Sequence, residues 1–128
     1  MSDFLGIDTS NYTTSAAIYE SPHNVLLQEK MLLPVKKGEK GIRQSDAVFH
    51  HTVQLPKIID KLFTKTGKRD ISAVGVSYAP RRLEGSYMPC FLTGISAATA
   101  VSRALSVPLY RFSHQEGHIA AALYSAGR

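Results

Sequence analysis

Between Phe4 and Leu33, three runs of apolar and β-branched residues follow one another with only short polar turns between them. That spacing leaves room for strands joined as an antiparallel meander and too little for the crossover helix that parallel neighbours need. The runs are Phe4 to Ser10, Thr13 to Tyr19 and Val25 to Leu33. Asn11-Tyr12 and Pro22-His23-Asn24 supply the turns. After a Lys- and Gly-rich loop from Pro34 to Gly41, the period changes from two to that of a helix. Val48, Leu55, Ile59 and Leu62 predict a helix over Asp46 to Thr66 with one buried face. Ser45 or Asp46 can cap it, Gly67 is a stop, and Pro56 is expected to kink it or begin a new segment.

The second half alternates. Ile71 to Ser77 is apolar on both parities, as in a strand covered on both faces. Tyr78 to Pro89 reads as a loop and Gly94 to Ser106 as a second helix, whose Ala97, Ala98, Ala100 and Ala104 let it sit close to a neighbour. Pro108 to Phe112 is a short fifth strand, and a third helix is expected from Ser113 to about Tyr124. Three strands, then helix, strand, helix, strand, helix is a mixed α/β pattern. It predicts a five-stranded sheet in which a meander is followed by parallel crossovers.

A chain of 128 residues with 44% apolar content can bury one core, so a single domain over residues 1–128 is expected. Cys90 is the lone cysteine, which excludes an internal disulfide and fits a reducing compartment. No run approaches the roughly 18 apolar residues of a membrane span. Met1-Ser2-Asp3-Phe4 lacks the basic and apolar regions of a signal peptide. A soluble cytoplasmic protein with no membrane partner is the expectation. The net charge of +5 gathers in two places. Lys36, Lys37, Lys40 and Arg43 share a loop, while Lys57, Lys61, Lys65, Lys68 and Arg69 recur along the first helix. Such a stripe either meets nucleic-acid phosphates or is a solvated helix face.

The sharpest motif is Ser113-His114-Gln115-Glu116-Gly117-His118. Ser113 and Glu116 have the spacing of a capping box, so a helix should open at His114. His114 and His118 then lie one turn apart on one face, able to converge on a divalent cation. The positive end of the helix dipole would keep both rings neutral, as ligands must be. A third ligand is needed and no other residue is an obvious one; the alternative is two histidines that merely happen to be four apart. In Gly6-Ile7-Asp8-Thr9-Ser10, hydroxyls and main-chain N–H groups at Thr9 and Ser10 can face a phosphate, with Asp8 holding a cation through water. A plain hairpin turn would use the same residues. Arg81 and Arg82, in a Gly-containing loop, can contact an anion or belong to an ordinary exposed connection. Cys90, between Pro89 and apolar Phe91 and Leu92, reads as a packed small hydrophobe.

Together these segments resemble the O-sialoglycoprotein endopeptidase family, also called TsaD or Gcp, whose members are tRNA adenosine threonylcarbamoyltransferases. Gly6 to Ser10 with Ala16-Ala17-Ile18-Tyr19 is similar to the family's opening hairpin. His51 followed by Pro56 is similar to its H-x4-P helix, and Ile71 to Ser77, Ala79-Pro80 and Gly94 to its strand–loop–helix. Pro108-Leu109 with Ser113 to Leu123 resembles V-P…H-x-E-G-H…A. The resemblance implies an actin-like (ribonuclease H-like) N-terminal lobe, with the C-terminal lobe absent from these 128 residues. It implies iron or zinc on His114 and His118, with a third, aspartate ligand in the missing lobe. ATP or threonylcarbamoyl-adenylate is implied as cofactor of the full-length protein. Partners implied are tRNA, the absent lobe and other proteins of the tRNA-modification complex, together with self-association through exposed apolar surface. The chain departs from the family at two places. Asn11-Tyr12-Thr13 replaces Cys-Asp-Glu, and Ala79-Pro80-Arg81 replaces G-P-G. The expected function is thus a metal-dependent transferase of which this chain is an N-terminal piece, inactive alone. A non-catalytic scaffold paralogue is the alternative. A metallopeptidase ranks below both, because Glu116 on a helix would point away from the shared histidine face.

Overall fold

A computed structural model describes residues 2–10, 12–21, 25–34, 44–67, 70–79 and 89–113. The meander forms as its spacing requires: β1 (Ser2–Ser10), β2 (Thr13–Ser21) and β3 (Val25–Leu32) pair antiparallel. Helix α1 (Gln44–Thr66) crosses to β4 (Ile71–Ala79), which lies parallel to β1. Helix α2 (Phe91–Leu105) then crosses to β5 (Leu109–Ser113), parallel to β4. The sheet order is β3-β2-β1-β4-β5, with the first strand in the centre.

Alternation along β1 decides what each face carries. Leu5 and Ile7 point to one face, beside Ile18 and Ala16 of β2 and Val74 and Val76 of β4. Leu55, Ile58 and Leu62 of α1 and Ala98 of α2 close over them as the main core, so both helices cover this face. The opposite face carries Phe4, Gly6, Ala17, Tyr19, Gly75, Tyr110 and Phe112 along a groove of about 500 Å³. Strand β4 is buried on both parities, at Ile71, Ala73, Val74, Val76, Ser77 and Ala79, as its composition predicts.

The buried stripe of α1 runs through Ala47, His51, Gln54, Leu55, Ile58 and Leu62, steps of three and four residues. Two of these are polar, which apolar periodicity does not register; Val48 and Ile59 sit at the stripe's margin. Pro56 neither splits the helix nor restarts it, for α1 is one element through that position. It is exposed, so the Thr52 carbonyl that loses its helical donor there can turn to solvent. Gly67 ends α1 with φ +79°, its N–H bonded to the Phe63 carbonyl at 2.8 Å. Helix α2 begins at Phe91, three residues ahead of the expected start. Of its alanines only Ala98 is buried; with Gly94 and Ser102 it forms the strip that faces the sheet.

Ser106 closes α2 in the left-handed region at φ 55°. A side chain there costs on the order of 1 kcal/mol. Ser106→Gly should therefore raise stability by about 0.5–1 kcal/mol in urea denaturation, since the residue is exposed and its N–H bond to the Arg103 carbonyl is retained. An unchanged or lower midpoint would count against strain at this cap. The expected third helix lies outside the described residues, except Ser113, which ends β5.

Candidate functional site

Strands β1 and β4 run parallel, and their C-terminal ends meet the start of α2. Open α/β sheets commonly place ligands at such strand ends. Asp8 and Ser77 are neighbours across the pair, and the Ser77 hydroxyl donates to Asp8 Oδ1 at 2.7 Å. Ser77 is fully buried, so this bond sets the carboxylate's orientation from below. Asp8 also borders one end of the groove on the face away from the helices.

Thr9 points the other way. Its hydroxyl donates to the Cys90 carbonyl at 2.9 Å and accepts from the Gly94 N–H at 3.1 Å. Those two groups would bond directly in an unaided helix, and Cys90 supplies no side-chain cap of its own. A strand hydroxyl thus anchors the first turn of α2 to the end of β1. The anchor needs close approach: a Cβ on Gly94 would stand 3.0 Å from Thr9 Oγ1 and 3.4 Å from Ile7 Cγ2 and Val76 Cγ2. The contact that holds the first turn of α2 thus comes from a residue about 80 positions earlier, outside any local sequence window.

A second buried cluster supports the β1–β2 turn. Thr14 donates to Gln54 Oε1 at 2.9 Å and lies 2.7 Å from His51 Nδ1, while Gln54 Nε2 donates to the Leu32 carbonyl at 3.0 Å. His51 and Thr14 are fully buried. Burial lowers the His51 pKa, and the Ser10 main chain and Asp8 act in the opposite sense. Cys90 is also fully buried, and burial pushes its thiol up to about 11. That keeps it protonated near neutrality, in line with its reading as a packed hydrophobe.

The residues singled out in the sequence therefore separate. Asp8 and Ser10 stand half-buried at the strand end. Thr9, read as a phosphate contact, has its hydroxyl wholly inside the fold, donor and acceptor both engaged. Arg81, Arg82, His114 and His118 lie outside the described residues, and among those described no group of three His, Cys, Asp or Glu could hold a metal. Of the lysine stripe, Lys65 is engaged within the chain, 2.9 Å from Glu29 and 3.1 Å from the Gln28 carbonyl, while Lys57 and Lys61 stay exposed. Ser77, Thr14 and Gln54 escaped the sequence reading, because their roles depend on partners 22 to 69 residues away. Among the described residues, no helix is long and apolar enough to cross a membrane.

Residues 24–128 match the protein family described as tRNA N6-adenosine threonylcarbamoyltransferase, TsaD. A transferase of that name from Carboxydothermus hydrogenoformans is 31% identical over 116 residues, covering 90% of this chain and 33% of the relative. Its counterpart from Bacillus subtilis is 32% identical over 118 residues, with the same two shares. The chain thus spans about a third of the length of the curated relatives it matches. Among solved structures, YeaZ from Pseudomonas aeruginosa superposes with a TM-score of 0.62 at 18% identity, over 88% of this chain and 43% of that one. At that identity the likeness shows the fold, which is the actin-like arrangement.

Proposed function

We propose, because this chain belongs to the TsaD family of tRNA N6-adenosine threonylcarbamoyltransferases, that it forms the N-terminal lobe of a two-lobe protein transferring a threonylcarbamoyl group to tRNA. The observation that carries this reading is the family match over residues 24–128, aligned with the N-terminal part of the relatives. In the transfer, the N6 amine of an adenosine bonds to the carbamoyl carbon of threonylcarbamoyl-adenylate. The bond from that carbon to the phosphate oxygen breaks, AMP leaves with the electron pair, and the amine gives up a proton. Asp8, oriented by Ser77, and Ser10 are proposed to contact the adenylate phosphate or a cation beside it, a reading supported by their position at the strand end. Thr9 holds α2 in register with them.

His114 and His118 are the proposed ligands of an iron or zinc ion, whose contribution when bound is to polarise a phosphoryl or carbamoyl oxygen. Two side chains do not complete such a site. The isolated chain is for the same reason expected to be inactive, since the cleft needs a second lobe. A scaffold without chemistry is the second reading. It is favoured by Asn11-Tyr12-Thr13, which lacks the two acidic residues of the family pattern.

The test is a chimera in which this chain replaces the matching N-terminal part of the Bacillus subtilis relative. Transfer from synthetic threonylcarbamoyl-adenylate to tRNA should appear in the chimera and be missing from the 128-residue chain alone. Product formed by the chain alone would overturn the need for a second lobe. A folded but silent chimera would favour the scaffold. Metal analysis of the chimera should find about one ion, lost in His114→Ala. Retention in that variant would remove the histidine pair from the proposal.

A further inference from the structure

The cluster under the β1–β2 turn has a hydrogen count that puts a hydrogen on one ring nitrogen of His51. Gln54 Nε2 donates to the Leu32 carbonyl, so its Oε1 must face Thr14. The single Thr14 hydrogen then goes to Gln54, and none is left for His51. Nδ1 of His51, 2.7 Å from Thr14 Oγ1, must therefore be the donor in that contact. In a neutral ring this leaves Nε2 bare. That atom is fully buried and finds no hydrogen-bond partner among the described residues. The Ser10 main chain lies near enough to favour a protonated ring. With a second proton the ring would carry donors on both sides, one for Thr14 and one for the turn.

We infer that His51 is a positioning residue: as a neutral Nδ1–H imidazole it clamps α1 to the β1–β2 turn through Thr14, and a proton gained at Nε2 resets that turn, with Ser10 at its edge. The groups acting on the ring are Asp8 on β1 and its neighbour His50 on α1, besides the Ser10 main chain. Burial is the largest influence and depresses the folded-state value below the ordinary 6.5. The folded chain then binds fewer protons than the unfolded one just below that value. The contribution of neutral His51 to stability is present in full above pH 6.5 and lost as pH falls through the depressed pKa. The inference rests on the proposed site only in taking this turn to border it; the clamp itself is measurable without any transfer assay.

Long-range ¹H–¹⁵N spectra of the full chain, titrated from about pH 8 to about pH 5, read the ring directly. His51→Asn assigns its signal among the five histidines and keeps a side-chain N–H that does not titrate. The expected result is an Nδ1–H tautomer at neutral pH and a midpoint below 6.5, with the amides of Ser10, Tyr12 and Thr13 shifting at the same midpoint. In His51→Asn those amide shifts should vanish. An Nε2–H tautomer at neutral pH, or turn amides that stay still while His51 titrates, would overturn the inference. Should the variant fail to fold, the wild-type titration decides alone. Chimera activity speaks to the site reading, so either idea can fail without the other.

Discussion

Thr14→Val should destabilise this chain by about 2–4 kcal/mol, although valine fills nearly the same volume. Thr14 is fully buried, and its hydroxyl answers both Gln54 Oε1 and His51 Nδ1. Valine would leave a buried amide oxygen and a buried ring N–H without partners, each costing roughly 1–3 kcal/mol. Gln54 cannot rotate freely without releasing the Leu32 carbonyl. Thr9→Val is the informative comparison, because Thr9 is equally buried and equally engaged. Its two partners, the Cys90 carbonyl and the Gly94 N–H, are four residues apart in one helix and can close on each other when the first turn of α2 shifts off the valine methyl. That variant should lose less than Thr14→Val, because its partners can still find each other. Urea denaturation of the two variants side by side checks the argument. Equal losses would mean that burial of the hydroxyl, rather than the fate of its partners, sets the cost.

Leu62→Ala should cost about 2–5 kcal/mol, a large share of the 5–15 kcal/mol that a domain typically has. Leu62 is fully buried in the main core, where α1 meets the sheet. The cavity it leaves cannot collapse easily, because Leu55 and Ile58 on the same stripe are already seated and the sheet behind them is hydrogen-bonded throughout. Leu92→Ala is the control: Leu92 is 46% exposed on α2, and its truncation should fall within about 0.5 kcal/mol of neutral. Thermal or urea unfolding would separate the pair. A Leu62→Ala loss no greater than that of Leu92→Ala would show that α1 is not seated on the sheet as described.

Most of the element order was readable because it rests on local signals. Short turns require the meander, the change of period at Asp46 marks α1, and Gly67 stops it in the left-handed conformation that only glycine adopts cheaply. The double-sided apolar character of Ile71 to Ser77 placed β4 inside the sheet, where it pairs with β1 and β5. The start of α2 was misread by three residues, and of the two outcomes open at Pro56 a new segment does not form. Pro56 lacks a donor but is exposed, so the helix bears the loss. Helix α2 begins at Phe91, and the hydroxyl that holds its first turn comes from the distant Thr9.

The site divides in the same way. By itself the sequence determined that Asp8 and Ser10 end an apolar strand beside a turn, that Cys90 is packed, and that the chain resembles one family in its opening hairpin and its His114–His118 motif. Only the tertiary structure decided that Thr9 faces inward as an anchor, that Ser77 aims Asp8, and that His51, Thr14 and Gln54 form one buried chain. Hydrophobic period and turn chemistry act over a few residues, so a sequence displays them. Hydrogen bonds between residues 37 to 85 positions apart exist only once the sheet has brought those residues together.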